Sequence, residues 1–132
     1  MIVVDANVVC VALYDDGDAG RAVRTRLHED DLIAPQLIDL EVVSTLRRRS
    51  QAGVLSVRRA SEAVEDLTEM PIIRLPHAPL LPRCWELRSN LTTYDAAYVA
   101  AAEMLGVGLL TGDRRLARSP GPRCPIEVLD AS

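Results

Sequence analysis

Five short apolar runs alternate with longer segments of helical periodicity along this chain of 132 residues. The runs cover residues 1–4, 32–34, 71–75, 107–111 and 126–129. The first, MIVV, is rich in β-branched residues, which is typical of a strand buried on both faces. Because a helical segment separates each strand from the next, the strands are expected to be parallel and joined by right-handed crossovers. The pattern therefore predicts an α/β fold whose sheet is covered by helices on both faces.

Helical periodicity places helices at residues 6–14, 19–29, 36–51, 56–70, 80–91 and 95–105. Pro35 is suited to open the third helix, and Ser56 is suited to cap the fourth. The proline-rich stretch 75–83 is too short to be a domain linker and is expected to be a loop that enters a helix. A length of 132 residues is typical of one domain, so a single domain over residues 1–132 is predicted.

The composition excludes several classes of enzyme. All 15 Lys and Arg residues are arginine, and a P-loop requires a lysine, as do the response-regulator and haloacid-dehalogenase sites. The motifs G-x-S-x-G and H-E-x-x-H are absent from the sequence. The three cysteines are too far apart for a metal clip, so reduced structural thiols are expected. With neither an apolar run long enough for a membrane span nor a basic leader, the expected location is the cytoplasm.

Two aspartates directly follow apolar strands. Asp5 comes after residues 1–4, and Asp113 comes shortly after the strand at 107–111. In a parallel sheet both positions lie at the carboxyl edge, where ligands bind, and a carboxylate there is costly to bury. Either residue could instead be an ordinary turn or cap aspartate, although the occurrence of two such residues argues against that interpretation.

Two further acids stand at unusual helical positions. At 100° per residue, Glu41 falls between Leu37 and Ile38, within the apolar arc of its helix, where a solvated glutamate is not expected. Asp95 begins an alanine-rich helix. The alternatives are that Glu41 extends its carboxylate to solvent or pairs with a cap, and that Asp95 is a helix N-cap.

If these four acids converge, their charges require compensation. Two like charges about 4 Å apart repel by about 4 kcal/mol at an effective dielectric constant near 20. Either some carboxyl groups are protonated or a divalent cation binds among them. Oxygen ligands without histidine or cysteine favour Mg²⁺ or Mn²⁺ over Zn²⁺. His28 and His77 lie outside this group and are expected to be structural or surface residues.

Four segments of the chain resemble, in their order and spacing, the PIN-domain ribonucleases and, within that family, the VapC toxins of bacterial toxin–antitoxin pairs. The matching segments are Asp5-Ala-Asn7, the helix at 35–48 that carries Glu41, Tyr94-Asp95-Ala-Ala-Tyr98-Val-Ala100, and the stretch from Leu109 to Leu116 that contains Thr111, Asp113, Arg114 and Arg115. They extend over nearly the whole chain, and each acidic position of the family pattern is occupied.

The resemblance implies a PIN-like three-layer sandwich with a central parallel five-stranded sheet. It also implies that Mg²⁺, or Mn²⁺, binds an acidic quartet that is both catalytic and metal-ligating: Asp5, Glu41, Asp95 and Asp113. Asn7 and Thr111 would be polar supports that orient the ligands or metal-bound water. The implied partners are an RNA substrate, a second copy of the chain in a homodimer, and a VapB-type antitoxin whose C-terminal segment occupies the groove of the toxin.

The net charge of −4 means that RNA must be bound by local arginines and not by the overall charge. Arg114, Arg115 and Arg118 follow Asp113, and the first two are the candidate contacts with RNA or antitoxin. Arg47–Arg49 are further candidates, but their position at a helix end is equally explained by compensation of the helix dipole.

The leading hypothesis is a metal-dependent endoribonuclease that acts as a toxin and inhibits translation or growth. A metal-activated water would cleave the phosphodiester bond, and carboxylates would hold the metal. The first alternative is a catalytically inactive PIN-like module that binds RNA or protein. The second is a small metal-dependent phosphatase on a similar sheet. The sequence identifies neither the RNA that is cut nor the number of metal ions.

Overall fold

The computed structural model describes residues 1–129, which form five β-strands and seven α-helices. The strands are β1 (Ile2–Val4), β2 (Leu32–Pro35), β3 (Ile72–Leu75), β4 (Gly108–Thr111) and β5 (Ile126–Val128). The helices are α1 (Ala6–Tyr14), α2 (Asp18–Leu27), α3 (Leu37–Gln51), α4 (Val57–Glu69), α5 (Leu81–Glu86), α6 (Thr93–Leu105) and α7 (Arg114–Arg118). A single 3₁₀ turn at Ala78–Leu80 precedes α5. The single domain over 1–132 stays a prediction, and its last three residues lie outside the described ones.

The described strands form one sheet in the order β3-β2-β1-β4-β5, with every neighbouring pair parallel. All three residues of β1 are buried, because helices cover both faces of the sheet centre. Helices α1 to α4 pack against one another, α5 packs against α6, and both α1 and α6 contact the sheet. The predicted α/β architecture with a parallel five-stranded sheet is confirmed.

The strand order creates a switch point beside β1. From β1 the chain moves outward on one side through β2 and β3, and later on the other side through β4 and β5. Crossovers therefore leave the carboxyl ends of β1 and β4 in opposite directions and open a crevice between them, which is where open α/β sheets bind ligands. Asp5 follows β1 at this crevice, and its backbone N–H donates to the Leu110 carbonyl oxygen of β4 at 3.1 Å.

Small side chains let α6 approach the sheet closely. Its residues 96–102 are all buried, and five of these seven are alanine. Helix α6 contacts β1, β2 and β4. Gly106 ends the helix in a left-handed conformation with φ of 67°, which glycine adopts without steric cost. This close packing brings the first turn of α6, with Asp95, to the carboxyl edge of the sheet.

Several predicted boundaries differ from the structure. Pro35 ends β2, and α3 begins at Leu37; a proline is tolerated at this strand end. The helix predicted at 80–91 ends at Glu86, where the chain continues in turns. Helix α7 was not predicted, because its five residues are too few to show a period, and it depends on capping by Asp113 and burial of Leu116.

No helix in the described part of the chain is both long and apolar enough to cross a lipid bilayer.

Candidate active site

A cavity of about 480 Å³ opens at the carboxyl edge of the sheet. Its lining comes from the start of α1, one face of α3 and the first turns of α6: Asp5, Ala6, Asn7, Leu37, Leu40, Glu41, Ser44, Thr45, Arg48, Tyr94, Asp95 and Tyr98. Three of the four predicted acids line this cavity, and Asp113 is not part of its lining. Residues far apart in the sequence are thus brought together, as the switch point of the sheet favours.

Asp5 is the most buried of the acids, with 8% of its surface exposed. Its Oδ1 accepts from the Val8 backbone N–H at 3.2 Å and so caps α1, and its Oδ2 accepts from the Thr111 hydroxyl. Burial raises the pKa of Asp5 to about 7; these hydrogen bonds oppose the rise, and the charges of Asp95 and Glu41 add to it. Asp5 therefore caps α1, as the alternative interpretation predicted. It is also a buried carboxyl group that is close enough to Glu41 and Asp95 for their charges to interact.

Glu41 is half-buried on α3 and shares a hydrogen bond with Tyr98. The Tyr98 hydroxyl donates to Glu41 Oε1 at 2.6 Å. Burial raises the pKa of Glu41, the Tyr98 bond opposes that rise, and the charge of Asp95 adds to it. The alternative in which Glu41 extends into solvent is therefore wrong: its carboxylate faces the cavity and is fixed by a neighbouring helix.

Tyr98 was missed as a site residue by the sequence analysis. It is 3% exposed, and burial together with the neighbouring Glu41 raises the pKa of its hydroxyl. The signal was its spacing, because residues three apart on a helix lie on the same face, and Tyr98 follows Asp95 by three. Tyr98 therefore lines the cavity itself and also fixes the orientation of Glu41 through this hydrogen bond.

Asp95 is not the N-cap of α6, so that alternative is wrong. The cap is Thr92, whose Oγ1 accepts from the Asp95 backbone N–H at 3.1 Å. The T-x-x-D spacing is that of a capping box, which places Asp95 inside the first helical turn. Burial raises the pKa of Asp95, and the charge of Asp113 raises it further, whereas Thr92 and Arg115 oppose the rise.

Asp113 lies beside this group, close enough for its charge to raise the pKa of Asp95. It caps α7, since its Oδ1 accepts from the Arg115 backbone N–H at 2.9 Å, and the Arg115 guanidinium approaches the same oxygen at 3.4 Å. Asp113 is therefore a helix cap, as the alternative predicted, and its charge also raises the pKa of Asp95.

The two predicted supporting residues connect β4 with α1. Thr111 is fully buried; its hydroxyl donates to Asp5 and accepts from the Asp113 backbone N–H at 3.0 Å. Asn7 Oδ1 accepts from the Gly112 backbone N–H at 3.0 Å. These bonds fix the loop after β4 relative to Asp5. Arg114, Arg115 and Arg118 are exposed on α7 beside this loop.

The donor set fits a hard divalent cation. It consists of carboxylate oxygens whose pKa values are raised by burial and by one another, and a divalent cation would relieve that repulsion. Over residues 1–129, no three His, Cys, Asp or Glu side chains stand in an arrangement that could hold a metal ion without moving. The chemistry of these side chains therefore suits a divalent cation, whereas their spacing among the described residues does not form a metal site.

Comparisons with known proteins give a consistent result. Residues 2–121 match the PIN domain family. The chain is 40% identical over 130 residues to the VapC ribonuclease Mb0985 of Mycobacterium bovis, with 98% of both chains covered. It is 43% identical over 128 residues to ribonuclease VapC1 of Mycobacterium tuberculosis, with 96% of both covered.

Solved structures share the fold at low sequence identity. VapC20 of Mycobacterium tuberculosis, described as a toxin that cleaves the sarcin-ricin loop, aligns with a TM-score of 0.69 at 15% identity and covers 89% of this chain and 94% of its own. VapBC2 of Rickettsia felis, solved with a promoter DNA fragment, aligns with a TM-score of 0.70 at 15% identity over 98% of this chain and 100% of its own.

Proposed function

The chain belongs to the PIN-domain family, among its VapC ribonucleases, and from this premise we propose that the acidic cavity is the active site of an RNA-cleaving toxin. The proposed catalytic and metal-binding residues are Asp5, Glu41, Asp95 and Asp113. The observation that carries this assignment is the convergence of acids from β1, α3 and α6 on one cavity at the switch point of the sheet. PIN-domain nucleases as a family depend on divalent metal, and Mg²⁺ or Mn²⁺ suits these ligands best.

The carboxylates would hold the cation, which when bound lowers the pKa of a water molecule and stabilises charge on the phosphate. Thr111 fixes the Asp5 carboxylate, and Tyr98 fixes Oε1 of Glu41. Oε2 of Glu41 would then bind the cation or accept a hydrogen bond from the attacking water. In the hydrolysis, water supplies OH to phosphorus and a proton to the departing ribose oxygen, so the protein carboxylates need only orient the reactants.

Cleavage of RNA by the purified chain tests the assignment. We expect cleavage of a cellular RNA mixture with Mg²⁺ or Mn²⁺ and none with excess EDTA, because the acids repel the phosphate unless a cation lies between them. A labelled oligoribonucleotide and a phosphomonoester are assayed in parallel. Hydrolysis of the monoester alone would favour the phosphatase, and tight antitoxin binding without cleavage would favour the inactive module.

An antitoxin is the proposed protein partner. The VapBC2 structure of Rickettsia felis, already described, shares the fold of this chain and supports a partner of this kind. A VapB-type antitoxin would inhibit this chain by placing its C-terminal segment in the acidic cavity, where a basic side chain would neutralise the carboxylates. Because the proposed substrate is RNA, the proposed place of action is the cytoplasm.

A second copy of the chain is the proposed partner for an apolar surface beside the cavity. We define this surface by four exposed side chains: Leu40, Leu81, Trp85 and Tyr94. Beneath this surface, a small apolar groove lies between α3, α5 and α6, and its lining includes Leu81 and Tyr94. A patch of large apolar side chains on a small protein is typical of an interface, and here the Arg88 guanidinium lies over the Trp85 ring at 4.5 Å from its centroid.

Trp85→Glu is expected to convert a dimer into a monomer, because it removes the largest side chain of this surface and puts a carboxylate in its place. Light scattering coupled to size exclusion measures the mass. Val54→Glu is the matched control, since Val54 and Trp85 are both 68% exposed and Val54 lies away from the surface. A wild-type chain that is monomeric at tens of micromolar, or a Trp85→Glu variant that stays dimeric, would contradict the proposal.

A further inference from the structure

Arg48 lies at the end of the active-site cavity opposite the acids. It lies on α3, seven residues after Glu41, and therefore about two turns and roughly 10 Å farther along the helix. Its guanidinium donates to Ser44 Oγ at 3.0 Å through Nη1 and to Thr45 Oγ1 at 3.1 Å through Nη2. Both acceptors are hydroxyls, and all three residues line the cavity. Both hydrogen bonds go to the preceding turn of α3, so they hold the guanidinium about one turn nearer to Glu41 than the Arg48 backbone.

The charge of Arg48 is not compensated by a carboxylate in the described part of the chain. The hydrogen bonds found for its side chain there go to neutral hydroxyl groups. By contrast, Arg26, Arg74 and Arg83 each form ion pairs with acids. A held guanidinium without an acidic partner, facing a cavity, retains its capacity to bind an anion.

The neighbouring arginines do not share this position. Arg49 stacks over the Tyr14 ring at 4.7 Å from its centroid. Arg47 is exposed outside the cavity lining, and no hydrogen bond or ion pair of its side chain is found over residues 1–129. Compensation of the helix dipole would not distinguish among three consecutive arginines, whereas the cavity selects one of them.

We propose that Arg48, held by Ser44 and Thr45, binds an RNA backbone phosphate next to the one that is cleaved. The proposal rests on the proposed function. Among the described residues the Arg48 guanidinium bonds Ser44 and Thr45 and forms no ion pair with Glu41, so it stands apart from the carboxylates that would hold the cation and is assigned to a different phosphate of the same strand. The cavity then has an acidic end for the metal-bound scissile phosphate and a basic end for its neighbour, which positions a single strand across the carboxylates.

The test compares Arg48→Gln with Arg47→Gln, which removes the same charge from an adjacent residue outside the cavity. For Arg48→Gln we expect the KM for an oligoribonucleotide to rise about 10-fold with kcat nearly unchanged, because a contact with a remote phosphate is made equally in ground and transition states. The slope of log KM against log salt should fall by about 0.7, the value for one lost phosphate contact on a single strand. Arg48→Lys should retain the slope and recover part of the affinity.

Binding measured without cleavage separates this proposal from the proposed function. A fluorescent oligoribonucleotide is titrated with Asp95→Asn protein, with and without Arg48→Gln. Arg48-dependent binding in this titration, combined with a wild-type protein that cleaves no RNA, would overturn the function and support the phosphate site. Equal salt slopes for Arg48→Gln and Arg47→Gln, or weakening of antitoxin binding alone, would overturn the phosphate site. Unchanged circular dichroism and melting temperature confirm that the variants are folded.

Discussion

Asp95→Asn is expected to lower the rate of RNA cleavage by at least roughly 10²–10³-fold while the fold remains intact. The substitution removes one negative charge with almost no change in volume. The cap of α6 survives, because Thr92 accepts from the residue 95 backbone N–H, which asparagine also supplies. The variant lacks the carboxylate in the first turn of α6, which lines the cavity and lies close enough to Asp113 for the two charges to interact. Single-turnover cleavage over a range of Mn²⁺ concentrations measures the effect.

Asp66→Asn is the matched control for this substitution. Asp66 is an exposed aspartate on α4 outside the active-site cavity, so the same chemical change should leave cleavage at the wild-type rate. A second readout is growth after induced expression, which wild type should arrest and Asp95→Asn should permit. Wild-type turnover in Asp95→Asn would remove this residue from the proposed active site.

Asp5→Asn is expected to stabilise the metal-free protein at pH 8 and to abolish cleavage. Burial raises the pKa of Asp5 from 3.8 to about 7, so ionising it in the folded state costs about 4 kcal/mol relative to the unfolded chain. The expected gain in the free energy of unfolding is smaller, on the order of 2–3 kcal/mol, because the amide NH₂ of asparagine cannot accept the Thr111 hydroxyl proton.

The sign of the pH dependence follows from the raised pKa. A protonated Asp5 costs the folded state nothing, so its contribution is most favourable below about pH 4 and is lost as the pH rises through 7. Acids with lowered pKa, such as Glu103, act in the opposite direction, but they are already ionised above about pH 5. Between pH 5 and 8 in EDTA, wild-type stability should therefore fall relative to that of Asp5→Asn.

Urea unfolding at several pH values measures this difference, and subtracting the two curves cancels the shared groups that do not interact with Asp5, so that Asp5 and its coupling to Glu41 and Asp95 remain. Adding millimolar Mg²⁺ or Mn²⁺ at pH 8 should restore stability to wild type and much less to Asp5→Asn, since a cation that binds only the folded state stabilises it. Parallel curves of unfolding free energy against pH would contradict the prediction, because ionising Asp5 would then cost no more in the folded protein than in the unfolded chain.

The sequence was sufficient to predict the sheet and the acids that face its edge. Asp5 follows a strand whose residues are all apolar, and Glu41 falls within an apolar helical arc, so both could be identified from periodicity alone. The alternative interpretation of Asp95 as a helix N-cap was wrong, because Thr92, three residues earlier, occupies that position. Whether the four acids act in catalysis stays a prediction.

Sequence periodicity could not predict contacts between elements that are far apart in the chain. The bond from Tyr98 to Glu41 joins two helices 57 residues apart in the chain. The distinction among three consecutive arginines depends on which of them faces a cavity, and that is decided by the packing of α3 against its neighbours. Helix α7 similarly depends on a cap and one buried leucine, neither of which produces a repeating pattern.

The strand order has a consequence for biosynthesis. Strands β1 to β3 and the residues Asp5 and Glu41 come from the first 75 positions, whereas β4, Asp95 and Asp113 come from the remainder. A ribosome that has translated only the first portion has produced half of the acids and a sheet whose central strand still lacks one neighbour. If the proposed active site is correct, we expect the nascent polypeptide to cleave no RNA until nearly all of it has emerged, and a prematurely terminated product to be inactive.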